Sequence, residues 1–185
     1  ADYGVSFQET WRQMMAEKLG FTRFQAQDQT EIIADLQAIL QATETDMTIF
    51  FRCLAMIETA LDASEENLLA PFAAAYYRPD TLSEDQRQRS VQWARKYTAT
   101  LRASGITNEA RRLRMQQVNP KYVLRNYLAQ LAIDSAEQGD YSLVNELLEV
   151  LRRPYDEQPD KDTFAAKRPD WARQRPGCSM LSCSS

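Results

Sequence analysis

Apolar residues recur at intervals of three and four along almost the whole of this 185-residue chain, the spacing that places side chains on one face of an α-helix. Tyr3, Phe7, Trp11 and Met14 make the first stripe, and Gly20 follows where a helix end favours a left-handed residue. Asp28 and Glu31 read as a capping box ahead of a second stripe of Ile32, Ile33, Leu36, Ile39 and Leu40. A third helix is predicted from Asp46, carrying Ile49, Phe50, Cys53, Leu54 and Ile57. Residues 64–77 share the period, with Pro71 predicted to kink or shorten that helix unless it falls in the first turn.

Ser83 with Gln86 predicts a second capping box, opening a long helix on which Trp93, Tyr97 and Leu101 share a face before Gly105 ends it. Thr107 to Val118 reads as a short basic helix. In "NPKYVLRNYLAQLAI", Asn119 is the expected N-cap and Pro120 the first helical residue, where its missing N–H costs nothing. Leu124, Tyr127, Leu128 and Leu131 form its expected buried stripe. Gly139 and Asp140 turn the chain into a last helix with Leu143, Val144, Leu147, Leu148 and Leu151 expected inside. No segment alternates with period two over the length of a strand, so the fold class is all-α, with seven to eight helices over 1–152. From Arg153 the texture changes. Pro154, Pro159, Pro169 and Pro176 fall here with two of the three cysteines, predicting an extended tail over 153–185 that wraps a surface or hangs free.

Composition narrows the function. Net charge is −4 and the isoelectric point near 5.0, against the basic footprint of a nucleic-acid binder. The average conceals an asymmetry, because residues 1–70 carry 4 basic and 12 acidic side chains while residues 83–125 carry 10 basic and 3 acidic. No apolar run approaches the roughly 18 residues of a membrane span. The opening residues do not read as a signal peptide, so a reducing, cytoplasmic setting is expected, with cysteines as thiols unless redox chemistry uses them.

The chain has no histidine, which removes Ser-His-Asp and Cys-His catalysis and any imidazole-bound zinc. Nor does it hold a phosphate-cradling glycine motif or a kinase metal motif, so these residues alone are not expected to bind ATP. Asp156, Glu157, Asp160 and Asp162 lack the glycine and spacing of a calcium loop and read as a solvated turn. Two readings stay open for Arg87, Arg95, Arg102, Arg111, Arg112, Arg114, Lys121 and Arg125: solvated helix surface, or an anion- or partner-binding face. Arg125, beside Asn126 within an apolar helix, is expected to have a buried partner. Cys53 sits on an apolar face and reads as a core residue. Cys178 and Cys183, with four residues between them, match neither a C-x-x-C redox motif nor half of a common zinc site.

"NPKYVLRNYLAQLAI", "GDYSLVNELLEVLRRPYDEQP", "RPDWA" and "PGCSMLSCSS" together resemble the carboxy-terminal part of the selenoprotein O family, in its bacterial form. That resemblance implies a protein-kinase-like core, binding its nucleotide in a flipped orientation and transferring AMP or UMP to Ser, Thr or Tyr of proteins with Mg or Mn and ATP or UTP. The family's catalytic Asp, metal-binding Asn and Asp, glycine-rich loop and phosphate-binding Lys and Arg find no counterpart here and are expected upstream. No catalytic, cofactor-binding or metal residue is therefore expected in this segment. Its expected partners are that upstream core and protein substrates, not nucleic acid or membrane. Cys183 stands third from the carboxy end, where eukaryotic members carry selenocysteine, and the resemblance implies that it can pair with a cysteine of the core's activation-loop region. Met180 stands where a C-x-x-C motif would need cysteine. Two rival readings are a helical scaffold for protein interaction, which lacks a fixed repeat, and a thiol oxidoreductase using Cys178 and Cys183.

Overall fold

The computed structural model describes residues 3–22 and 26–178. Over them it places eight α-helices and no strand, with one isolated antiparallel bridge between Thr45 and Tyr76. They form two compact units dividing between Asn119 and Pro120. The change of texture at Arg153 thus lies inside the second unit.

The first unit holds α1 (Tyr3–Lys18), α2 (Ala26–Gln41), α3 (Met47–Leu54), α4 (Glu65–Ala75), α5 (Glu84–Ala103) and α6 (Asn108–Val118). Local signals set several ends. Asp46 caps α3 by accepting the Ile49 N–H, and Ser64 and Thr107 do the same for α4 and α6. Ser83 and Gln86 bond each other's backbone N–H groups reciprocally at the start of α5, as the sequence predicts. α2 begins at Ala26, ahead of the expected box, and the Asp28 side chain lies outside the described residues, as does that of Tyr3. Pro71 lies beyond the first turn of α4, and that helix ends at Ala75, short of the predicted 77.

α3 packs on α4, α5 crosses α2 and α4, and α6 packs on α1 and α3. A run of aromatic rings forms the centre: Phe50 to Phe72 at 5.0 Å, Phe72 edge-on to Trp93 at 5.6 Å, and Trp93 stacked on Tyr97 at 5.0 Å. Such large, geometrically selective groups dominate core energetics. α1 departs from its predicted stripe, since Met15, Ala16 and Leu19 are buried while Phe7 and Met14 are exposed. The reason lies in its last turn. The Phe21 N–H reaches the Ala16 carbonyl and the Gly20 N–H that of Glu17, closing a Schellman motif with Gly20 at φ +79°. That turn presses against α6.

The second unit holds α7 (Asn126–Glu137) and α8 (Ser142–Arg152), followed by two 3-10 turns at Asp162–Ala165 and Asp170–Arg173. The expected helix start at Asn119 is wrong. Asn119 ends α6 instead, its N–H donating to the Met115 carbonyl and its side-chain amide to the Lys18 carbonyl. With that amide committed backwards, Pro120 opens an extended stretch, and the N–H groups of Lys121 and Tyr122 both reach the Pro154 carbonyl. An Asn-Pro pair fits a helix end as well as a helix start. Leu124 accordingly lies outside the helix and is exposed, and Val144 and Leu148 are exposed too, while Val150 joins Leu147 inside.

Residues 153–178 do not hang free. Phe164, Ala172 and Cys178 enter the core that Tyr122, Tyr127, Leu128, Ala132, Leu147 and Val150 begin. Gln158, 8 % exposed, donates to the carbonyls of Val150 and Arg153 and so closes the end of α8.

A β-carbon at position 20 would lie 2.7 Å from Arg111 Cγ and 2.8 Å from Met115 Sδ, in a backbone conformation that L residues resist. Gly20→Ala is expected to cost about 2 kcal/mol or more, read as a lower denaturation midpoint. A change under about half a kcal/mol would show that α1 and α6 do not press together there.

Candidate functional site

Residues 83–125 carry the chain's basic excess, and the described structure shows where those charges go. Arg111 is 1 % exposed, and among the described residues no carboxylate pairs with it. Its guanidinium donates to the carbonyls of Leu54 and Ile57 at the end of α3 and touches Met115 Sδ at 3.3 Å. Helix carboxy ends leave carbonyls unpaired and carry partial negative charge, which a cation there complements.

The same use recurs. Arg114 reaches the Phe21 carbonyl beyond α1, Arg102 the carbonyls of Thr59 and Ala60, and Arg52 those of Gln116 and Asn119 at the end of α6. Arg87 and Arg95 both face Glu65, each at 3.9 Å. Of the eight basic residues singled out, only Arg112 has no partner among the described residues. Arg87 and Arg95 are exposed, as the solvated reading expects, whereas Arg102, Arg111 and Arg114 are committed to backbone carbonyls. Most of the set is wiring between elements.

All four carboxylates of the acidic cluster are exposed, as a solvated turn would have them, and two of them meet Lys121. Lys121 bonds Glu157 at 2.6 Å and Asp162 at 2.7 Å, and Lys161 bonds Glu146 at 2.6 Å. Desolvation works against the Lys121 charge, but the hydrogen bonds it donates to Asp162 and Glu157 outweigh it and raise the ammonium pKa above the ordinary lysine value. Among the described residues no group of three His, Cys, Asp or Glu side chains is placed to hold a metal ion.

Arg125 is not inside a helix but at the N-cap position of α7, with Asn126 the first helical residue. Both are half-buried, and Arg125 Nη2 lies 3.5 Å from the Ala165 carbonyl. Cys53 is half-buried on α3 rather than fully in the core. Cys178 is 2 % exposed in the second unit's core, whereas Met180 and Cys183 lie outside the described residues.

Two structural residues escaped the sequence reading. Arg52 and Gln158 close helix ends across 64 and 8 residues of chain respectively, with no local motif to mark them. Arg111 did leave a signal, since it stands four residues before buried Met115, on the face where an apolar residue is expected.

The described residues therefore define a helical framework whose charged side chains close its own helices. The chain belongs to the family described as protein adenylyltransferase SelO, whose model matches residues 1–152. Among its relatives, the protein nucleotidyltransferase YdiU of Rhodopirellula baltica is 51 % identical, aligned over 100 % of this chain and 36 % of that protein. The YdiU proteins of Aromatoleum aromaticum and Flavobacterium johnsoniae are 48 % and 46 % identical, over 99 % and 95 % of this chain and 34 % and 33 % of their own lengths. The chain spans about a third of the length of these curated relatives. No helix among the described residues is long and apolar enough to cross a membrane.

Two measurements test the buried wiring. Tyr97 donates its hydroxyl to the Leu19 carbonyl, and burial pushes its pKa up to about 12. A raised phenol pKa keeps the proton on the folded state, so its contribution is complete below pH 10 and is lost as pH rises through about 12. Alkaline unfolding should therefore steepen between those values and flatten in Tyr97→Phe; identical pH profiles would contradict it. Arg111→Met keeps the volume but orphans two carbonyls, and about 2 to 4 kcal/mol of stability should go. Arg111→Lys should not rescue it, because one ammonium cannot replace the fork.

Proposed function

We propose that the protein to which this chain contributes is a metal-dependent protein nucleotidyltransferase that moves AMP, or UMP, from a nucleoside triphosphate to Ser, Thr or Tyr hydroxyls of other proteins in the cytoplasm. The observation that supports this is the family match across residues 1–152 together with relatives at about half identity. Nucleotide, Mg or Mn and the catalytic groups are assigned to a protein-kinase-like core outside these 185 residues. Among the described residues, several candidate carboxylates and arginines are already engaged. The carboxylates of Glu157 and Asp162 are taken by Lys121, and Arg102, Arg111 and Arg114 by backbone carbonyls. No step of the transfer is routed through this chain. Where the core binds it, the metal would neutralise charge on the transferred phosphoryl group.

In this reading the chain contributes helical framework to that core, and Cys183 is a thiol switch. Pairing Cys183 with a core cysteine removes two protons and two electrons, which a disulfide oxidant such as oxidised glutathione accepts. The closed form restricts the lobe that carries the activation loop, so the reduced enzyme is the active one. A dithiol oxidoreductase using both tail cysteines is disfavoured because Cys178 is buried and access governs exchange.

Transfer of labelled AMP or UMP to protein should occur with the full-length enzyme and not with the 185-residue chain, and calorimetric titration of the latter with Mg–ATP should show no micromolar binding. Dithiothreitol should raise transfer by the full-length enzyme. Cys183→Ser should abolish that dependence and Cys178→Ser preserve it. ATP binding by the isolated chain would overturn the division of labour. A Cys183→Ser enzyme that still responds to reductant would overturn the switch.

A further inference from the structure

One face of α7 receives the end of the described chain. Tyr127, Gln130 and Asp134 stand three and four residues apart, the spacing that aligns them along a helix. Each meets a residue of 171–177. Trp171 lies edge-on to Tyr127 at 6.2 Å. Arg175 forms an ion pair with Asp134 while its guanidinium covers the Trp171 ring at 5.8 Å from the centroid. Gly177, at φ +80°, abuts Gln130 so closely that a β-carbon would overlap Gln130 Oε1, and Gln130 Nε2 in turn donates to Asp134 at 3.0 Å. The next residue, Cys178, is sealed in the core.

From this geometry we propose that Asp134, Trp171, Arg175 and Gly177 form a clamp that separates the two tail cysteines in function. It keeps Cys178 out of thiol exchange and fixes the point from which the chain leaves toward Cys183. The clamp rests on the reading of Cys183 as the exchanging thiol only for its consequence; its own action is on Cys178. Fixing position 178 bounds the distance to Cys183, five residues on, at about 18 Å of extended chain. A thiol held within a bounded volume meets its partner at a higher effective concentration than one on a longer free chain. Arg175 and Asp134 are thus positioning residues for the exchange. A cation and a carboxylate that merely decorated the surface would leave the choice of cysteine unchanged.

The test uses the full-length protein, first reduced and pulsed with iodoacetamide, with alkylation at each cysteine read by mass spectrometry. Cys183 should react at least tenfold faster than Cys178. Arg175→Ala should raise the Cys178 rate about tenfold or more. Gly177→Ala, which acts by overlap rather than by charge, should do the same, and the exchanged pair Arg175→Asp with Asp134→Arg should restore slow labelling. Equal rates in the parent protein, or a Cys178 rate unchanged in both single variants, would overturn the clamp.

A second arm equilibrates the same proteins with oxidised glutathione. Each protein disulfide formed consumes one glutathione disulfide and releases two glutathione thiols. The parent protein should give disulfides of Cys183 alone, and the opened variants disulfides of Cys178 as well. If Cys183 stays reduced while the alkylation contrast holds, the switch reading fails and the clamp stands. If the variants open Cys178 to iodoacetamide and still yield only Cys183 disulfides, the positioning role is overturned.

Discussion

A buried guanidinium held by main-chain carbonyls is the constraint on which the first unit depends. Full desolvation of a cation is costly, and a buried charge persists only when its donors are met with good geometry. Arg111 meets most of that condition with the main-chain carbonyls of Leu54 and Ile57, at and just beyond the end of α3, while its Nε stays without an acceptor among the described residues. Its aliphatic stem packs under Gly20 at the end of α1, and Tyr97 from α5 bonds the Leu19 carbonyl in the same turn. The ends of α1 and α3 and the faces of α5 and α6 therefore meet around one side chain. Only glycine fits at position 20, because the Schellman turn needs a left-handed residue and Arg111 and Met115 occupy the space a side chain would fill.

That arrangement gives part of the basic excess a structural use without invoking a ligand. Residues 21–60 supply carbonyls at or beyond the ends of α1 and α3, and residues 83–125 supply arginines long enough to reach them. Arg102, Arg111 and Arg114 each span from α5 or α6 to a carbonyl between residues 21 and 60. An arginine used this way gains because its fork satisfies more than one acceptor while its stem covers apolar surface. Counting charge along the chain locates such residues but does not tell an anion site from a set of helix caps. The direction of each side chain decides it, and that depends on which helix ends fold nearby.

The same division runs through the rest of the fold. Features written within four residues were legible: the reciprocal cap of Ser83 and Gln86, the Asp46 cap, the left-handed Gly20, and the stripe of Trp93, Tyr97 and Leu101. Features set by distant partners were not. Asn119 carries a valid signal for starting a helix, yet Lys18, 101 residues away, and the end of α6 claim its groups first. Val144 and Leu148 belong to an apolar face of α8 wider than its own unit covers, so periodicity alone made them core. Of the candidate residues, composition placed both tail cysteines in one flexible segment, while packing puts Cys178 in a core nine-residue cluster that begins at Tyr122. Family membership was legible for a different reason, since it rests on particular residues in order and not on any one local preference.

Why the second unit needs its proline-rich segment follows from layer packing. Two helices such as α7 and α8 bury one seam between them and leave the outer side of that seam open, which is too little for an independent core. Residues 153–178 supply the missing layer in irregular form. Irregular chain is costly to bury because its N–H and C=O groups lack the partners a helix provides. Prolines lessen that cost by removing donors outright, and the short 3-10 turns pair some of the others internally. Gln158 and Lys121 attend to what remains, one closing α8 and the other joining the carboxylates of Glu157 and Asp162. A segment that by composition reads as a loose tail is thereby held as the third wall of a small core, and the cysteine that ends it is structural for the same reason that Phe164 and Ala172 are.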